Sequence, residues 1–238
     1  MLKKVTQKRT ELQRLLSKRG LASRSKASIL IREGKVKVNG KTVKDPLAYI
    51  SIDSQVSIDG IEVSKLQTNE KILIAFHKPK GVVTTSSDEK GRGTVYDLLP
   101  EQYRHLKAIG RLDMATSGLL LFTNDNQFAN DLLDPKNNIP RTYIVTVKGE
   151  PSKTSLEKLT KGIIFENIKL IAKEVVVRKS SGKETILLIT LQQGKNREIR
   201  KLCEAIGHEV IKLKRISFGV YQLNDLQVGE VQVLDFKN

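Results

Sequence analysis

The sequence predicts an α+β protein: a small basic helix-hairpin unit followed by a larger domain on a mixed, mainly antiparallel sheet with flanking helices. Three observations predict this. Positive charge is crowded into the first fifty residues. Helical spacing gives way to strand alternation within the first sixty. Long alternating strands with only a few helices fill the chain from Lys71 onward.

The chain has 238 residues, room for one ordinary domain and a small module. Hydrophobic residues make up 39%, but Trp is absent and aromatics are 5%, so the cores must be aliphatic. Lys and Arg number 42 against 26 Asp and Glu, a net charge of +16. Residues 1–50 hold 14 of those cations and 3 of the anions, most of the excess. A field concentrated in this way attracts phosphates and is a footprint of nucleic-acid binding. Charge alone is also compatible with a solvated basic surface or an anionic membrane contact. The single cysteine excludes an internal disulfide and, with three histidines, gives no basis for a metal cluster. The basic N-terminus is followed by no apolar signal core, and no apolar run approaches the roughly 20 residues that span a bilayer. The expectation is a soluble cytoplasmic protein with no metal and no cofactor.

Residues 1–10 read as a flexible basic leader. Leu12, Leu15 and Leu16 form a short helical stripe ending near Gly20. Ser23 is placed to cap a second helix with Ala27, Leu30 and Ile31 inward and Gly34 closing it. VKVNGKTVK reads as a hairpin around Asn39-Gly40, with further strands in AYISI and QVSIDG. This unit, residues 11–63, carries Lys18, Arg19, Arg24, Lys26, Arg32, Lys35 and Lys37 as candidate RNA contacts. The polar segment 64–70 reads as a linker to a domain over 71–238.

In that domain KILIAFHK is a strand ending in the Pro79-Lys80-Gly81 turn. LLLFT (119–123) is a buried strand followed by a short helix through Phe128, Leu132 and Leu133. YIVTVKG (143–149) alternates as a strand, and SKTSLEKLTKG is a surface helix ending at Gly162. IKLIAKEVVVRK and KETILLITLQ flank the Ser181-Gly182 turn. NREIRKLCEAIG is a helix with Asn196 as its expected cap and Ile199, Leu202, Cys203 and Ile206 on one apolar face. HEVIKLKRISFG and closing strands complete the domain.

The most specific stretch is AIGRLDMATSGLLLFTND (108–125). It sets Asp113 after an apolar entry and before a Thr-Ser-Gly turn that feeds the buried strand. It resembles the catalytic motif of the RsuA/RluB-type pseudouridine synthases, approximately GRLDxxTSGLLLxTxD. HKPKGVVTTSSDEKGRGTVYDLLP (77–100) resembles that family's first motif, RTYIVTVKG (141–149) its tyrosine motif, and residues 191–230 its C-terminal signature. The N-terminal unit is similar to the RNA-binding domain of the ribosomal protein S-four type. The sequence departs from the family pattern at Gln193, Asn126, Asp134 and Arg141, where Glu, Gly, His and Lys are usual.

The resemblance implies the pseudouridine synthase fold and isomerisation of a uridine in ribosomal RNA. The sequence identifies neither the uridine nor the ribosomal subunit; large-subunit RNA is weakly preferred over small, and a monomer is the default expectation. The glycosidic bond from uracil nitrogen to ribose breaks, the base rotates, and carbon 5 takes its place. Asp113 serves by adding to the base or sugar, or by removing a sugar proton; the sequence does not choose, and both need an anion. The resemblance also implies that Arg200 pairs with this carboxylate and that Tyr143 stacks on the uracil and helps remove the carbon-5 proton. Tyr143 points into a cleft if Ile144 points to the core. Arg111 is placed to fill the space a flipped base vacates or to clamp a phosphate. Leu191 is a candidate apolar wall for the base. Lys195 and Arg197, with Lys212, Lys214 and Arg215, are candidates to extend the RNA track.

Two other readings compete. One is a binding-only assembly factor or chaperone for ribosomal RNA, which has no need of Asp113, Tyr143 and Arg200 together. The other is a nuclease, which would need clustered carboxylates for two metal ions.

Overall fold

A computed structural model describes residues 8–19, 21–22, 24–62 and 70–237 of the chain. The chain divides into two compact units, 1–70 and 71–238.

In the first unit, β1 (Arg9–Glu11) leads into α1 (Leu12–Lys18), followed by α2 (Arg24–Arg32). Then come β2 (Val36–Val38), β3 (Lys41–Thr42), β4 (Tyr49–Ser51), β5 (Val56–Ile58) and β6 (Ile61–Glu62). The expected caps at Ser23 and Gly20 and most of the linker lie outside the described residues. The hairpin turn is where the sequence puts it, because Asn39 and Gly40 both take positive φ, as a tight two-residue turn requires. Leu12, Leu15, Leu16, Ala27 and Ile31 pack on Val36, Val38 and Val56. One expectation needs correcting: Arg9 and Thr10 are not flexible leader but strand, paired antiparallel to Ser51 and Ile50. No apolar alternation marks that segment; only its partner defines it.

The second unit is built on a nine-stranded sheet. Its elements are β7 (Leu73–Lys78), α3 (Val95–Leu98), β8 (Lys107–Ile109), β9 (Ser117–Thr123), α4 (Asn126–Leu133) and β10 (Arg141–Lys148). They continue with α5 (Lys153–Lys161), β11 (Ile163–Phe165), β12 (Ile168–Leu170), β13 (Glu174–Ser180) and β14 (Glu184–Leu191). The last are α6 (Glu198–Ala205), β15 (Val210–Phe218), β16 (Tyr221–Gln222) and β17 (Val231–Leu234). The sheet order is β13-β14-β10-β15-β9-β7-β17, with β16 on β15 and β8 on β9. IKLIAKEVVVRK is therefore not one strand: it breaks into β12, which pairs with β11 in a separate hairpin, and β13.

Within the sheet every pairing is antiparallel except one. The parallel β9–β15 contact spans only Lys214↔Ser117 and Arg215↔Gly118. Two antiparallel halves thus meet at a short central seam. Gly118 makes the seam possible: a Cβ there would lie 2.1 Å from the Arg215 carbonyl oxygen, and its φ is +109°. β7 and β9 read as unbroken apolar runs because both faces are covered. Ala75 and Leu121 enter one core cluster and Phe76 and Phe122 another.

Candidate active site

Asp113 lies on the loop between β8 and β9, immediately before the seam. The loop is held from behind by the segment that follows β7. The Thr84 hydroxyl donates to Leu112 O at 2.9 Å and accepts from Leu112 N at 3.2 Å. Gly81 N donates to Met114 O, and Thr116 N closes the turn on Asp113 O. Lys78, at the end of β7, is fully buried. Its ammonium donates to the carbonyls of Pro79 (2.9 Å), Asp113 (3.2 Å) and Thr116 (2.9 Å). Burial lowers the Lys78 pKa from 10.5 to about 8, and the Asp113 charge opposes that shift. The KPKG segment thus works as a clamp on the Asp113 turn.

In front of the loop is a cleft of about 580 Å³, a volume within the range of small-ligand sites. Arg111, Asp113, Tyr143, Leu191, Lys195 and Arg197 all line it, so six sequence-chosen residues from three segments converge. Asp113 is half-buried, Tyr143 and Leu191 form wall, and Arg111, Lys195 and Arg197 are exposed at the surface. Asp113, Arg111 and Arg197 also line a second cavity of about 480 Å³, so Asp113 borders both cavities. Tyr143 reaches the cleft, though not by the expected alternation. Ile144 is exposed rather than core, and Tyr143 shares its face with the buried Val145 and Val147.

Other expectations need amending. No ion pair within 4.0 Å joins Arg200 to Asp113 among the described residues. The Arg200 guanidinium donates instead to Val210 O at 3.2 Å and to Ala115 O, within the Asp113 loop, at 3.5 Å. Burial and the Arg197 charge lower its pKa, while the Asp113 charge raises it, so the two groups interact without contact. Asn196 does not cap α6: Arg197 holds the N-cap position in a left-handed conformation, φ 52°. Arg215 is no surface contact, being 2% exposed, with Nε donating to Leu119 O at 2.8 Å. In the first unit Arg19 is half-buried and donates to Ile52 O and Ser54 O, whereas Lys18, Arg24, Lys26, Arg32, Lys35 and Lys37 are exposed. Lys35 is paired with Glu33 at 2.9 Å.

Sequence reasoning missed the buried placement of the groups beneath the cleft, taking Arg215 as an RNA contact and Arg141 only as a departure from the family pattern. Arg141 and Arg215 set their guanidinium carbons 4.5 and 5.0 Å from the Phe218 ring centre. Arg141 donates to Leu132 O at 3.1 Å, and burial lowers its pKa. Glu198 is 3% exposed; burial raises its pKa against the pull of the Lys195 amide, Lys195 and Arg141. The hint in the sequence was cations set within apolar strands. Buried cations need partners, and a strand of core type supplies them only as backbone carbonyls.

The pattern of sequence matches decides the family. The sequence model for RNA pseudouridylate synthase covers residues 72–205, and that for the S4 domain covers residues 12–46. The chain belongs to the RNA pseudouridylate synthase family. A Bacillus subtilis relative, ribosomal large subunit pseudouridine synthase B, is 42% identical over 94% of this chain and 91% of the relative. A Yersinia pestis protein of the same name is 34% identical over 95% of this chain and 73% of its own length. Among solved structures, a crystal structure of a pseudouridylate synthase aligns with 95% of this chain and 96% of that one, at 25% identity and a TM-score of 0.66. The α+β architecture expected from the sequence is the fold of this synthase family. No helix among the described residues is long and apolar enough to cross a membrane.

Proposed function

We propose that the chain converts a specific uridine of ribosomal RNA to pseudouridine, that large-subunit RNA is the substrate, and that Asp113 is the reacting carboxylate. The observation that carries this reading is the position of Asp113: half-buried, bordering two cavities, on a clamped loop, in the same cleft as Tyr143. The names of the relatives support the substrate. Nothing favours a binding-only factor, which gains nothing from a carboxylate in an RNA cleft.

The target uridine leaves its stack and enters the cleft. Tyr143 stacks on the base and Leu191 lies against it. The bond from ribose carbon 1 to uracil nitrogen 1 breaks, with Asp113 attacking or taking a sugar proton. The detached uracil turns and carbon 5 bonds to the ribose as the bond to Asp113 breaks or the sugar proton returns from it, and the proton lost from carbon 5 is balanced by one gained at nitrogen 1. Arg200 steadies the Asp113 loop through Ala115 O and adds positive potential near the carboxylate. Arg111, Arg197 and Lys195 hold flanking phosphates at the rim. The exposed cations of residues 11–63 grip structured RNA, which makes affinity fall with salt. A monomer acting in the cytoplasm is part of the same proposal.

The test is chemical mapping of pseudouridine in ribosomal RNA from cells with and without the gene. The proposal expects at least one large-subunit position to lose the modification and regain it on complementation. Identical maps would contradict it.

A further inference from the structure

Two positive charges lie buried beneath the cleft. Arg141 is 7% and Arg215 2% exposed, and among the described residues neither forms an ion pair within 4.0 Å. A guanidinium cannot shed its charge by losing a proton, and burying an uncompensated charge is costly. Backbone carbonyls answer only part of that cost. Arg141 donates to Leu132 O at 3.1 Å, with longer bonds to Ile139 O and Gln192 O at 3.3 and 3.4 Å. Arg215 spends Nε on Leu119 O at 2.8 Å and leaves Nη2 without a partner. Glu198 acts on Arg141 only at a distance, and its own burial favours the neutral acid.

The register of the sheet puts both charges on the face that carries Tyr143. Arg141 lies two residues before Tyr143 on β10, and alternate residues of a strand share a face. On β15, Arg215 is the cross-strand partner of Tyr143 and Phe218 that of Arg141; such partners point the same way. The guanidinium carbons of Arg141 and Arg215 lie 4.5 and 5.0 Å from the centre of the same Phe218 ring. A negative charge on Tyr143 raises the Arg141 pKa, whereas the Arg215 charge lowers it. Anionic charge on this face is therefore felt by the buried guanidinium, and the two cations repel one another.

We propose that Arg141 and Arg215 form an electropositive floor that stabilises the negative charge developing on uracil as its bond to ribose breaks. The inference rests on the cleft holding a flipped uridine against Tyr143. Whether Asp113 attacks the sugar or takes its proton, the electron pair of the bond from ribose carbon 1 to uracil nitrogen 1 leaves with the base. The base becomes an anion, with its charge spread toward the carbonyl oxygens. That charge is neutralised when carbon 5 bonds to the ribose, the carbon-5 proton departs and nitrogen 1 gains one. A buried charge acts through space where the medium is weakly polar, so neither guanidinium has to touch the base. Charges fixed before the reaction begins need no rearrangement as the transition state forms. The uracil anion supplies the opposite charge that the fold withholds.

The test uses the full chain and an RNA containing its mapped target, made with uridine or with 5-fluorouridine, whose fluorine stabilises the uracil anion by itself. Loss of the starting nucleoside is followed in a single turnover. In Arg141→Met, checked for folding by thermal melting, cleavage of uridine should slow by about 100-fold and that of 5-fluorouridine by about tenfold or less. Arg141→Lys, which keeps the charge, should retain the wild-type ratio between the two nucleosides. Equal slowing of both nucleosides in folded Arg141→Met, or a ratio in Arg141→Lys as altered as in Arg141→Met, overturns the proposal and leaves the pair a packing role. A measurement on the wild type decides the matter if a variant fails to fold. RNA with a carbon-linked barbiturate at the target, a uracil-shaped anion at neutral pH, should bind at least about tenfold more tightly than the same RNA bearing neutral pseudouridine. Equal affinity overturns the proposal. A wild type that isomerises no uridine at all would instead sink the functional reading beneath it.

Discussion

The two walls of the cleft spend their hydrogen bonds in opposite ways. On the Asp113 side, each carbonyl from Leu112 to Thr116 accepts a bond from elsewhere in the unit: Thr84, Thr116 N with Lys78, Gly81, Arg200, and Lys78 again. On the opposite side, Gln193, Glu198 and Arg215 each leave an enclosed atom without a partner. The backbone carbonyls of the wall that positions a reacting group are satisfied internally, which holds the turn in place, although the Thr116 hydroxyl beside them is left unpaired. The facing wall instead encloses polar atoms that the protein leaves unpaired. The first unit repeats the contrast on a smaller scale: Arg19 is committed to Ile52 O and Ser54 O, while Arg24, Arg32 and Lys37 are exposed.

The strongest way to break this arrangement is at the seam joining the walls. Gly118→Ala forces a Cβ to within 2.1 Å of Arg215 O at a positive φ. It should lower Tm by roughly 10 °C, the mark of a substitution costing several kcal/mol in a unit of this size. A shift under about 2 °C would show that the seam tolerates side chains.

Lys78→Met comes next. It removes three donors from the clamp, and product formation should fall about 100-fold, or about 2.7 kcal/mol of transition-state stabilisation, with RNA affinity little changed. The wild type carries a pH signature of the same clamp. The Lys78 pKa of about 8 in the folded chain lies below its ordinary 10.5. The unfolded chain therefore binds more protons between those values, and the lysine's contribution to stability rises with pH through that window. The neutral amine, however, has two N–H groups for three carbonyls. Turnover should thus decline above about pH 8 without a matching loss of Tm attributable to Lys78. Lys78→Met should lack this limb; a limb that survives the substitution belongs to another group.

Smaller effects sharpen the comparison in the first unit. Replacing Arg24, Arg32 and Lys37 together by Ala should weaken RNA binding and reduce the salt slope by about 2, the release expected from three lost phosphate contacts. Arg19→Ala should leave the slope alone and destabilise by about 1 kcal/mol, since it removes backbone-directed bonds. If Arg19→Ala changes the slope as much as one of the others, the distinction between committed and open cations fails.

Much of this was legible in the sequence where local chemistry determines the outcome. The Asn39-Gly40 turn, the apolar face of α6 and the buried run of β9 each follow from residues close together in the chain. So does the convergence of Asp113, Arg111, Tyr143 and Leu191, through the motifs that carry them. The rest depends on partners distant in sequence. Arg9–Glu11 is strand only because Tyr49–Ser51 pairs with it. A lysine in KPKG reads as a surface charge until the Asp113 and Thr116 carbonyls close over it. Arg200 looks like the carboxylate's ion-pair partner in a linear motif, but the geometry directs it to backbone carbonyls.

The most direct trial of the central claim is a single-turnover assay of Asp113→Asn, nearly the same shape without the charge, on ribosomal RNA bearing the mapped target, with RNA affinity measured alongside. The expected result is RNA bound within about twofold of wild type and no pseudouridine above background, because the variant lacks the anion on which the chemistry depends. Pseudouridine formed at a rate near wild type in a preparation free of native enzyme would contradict it.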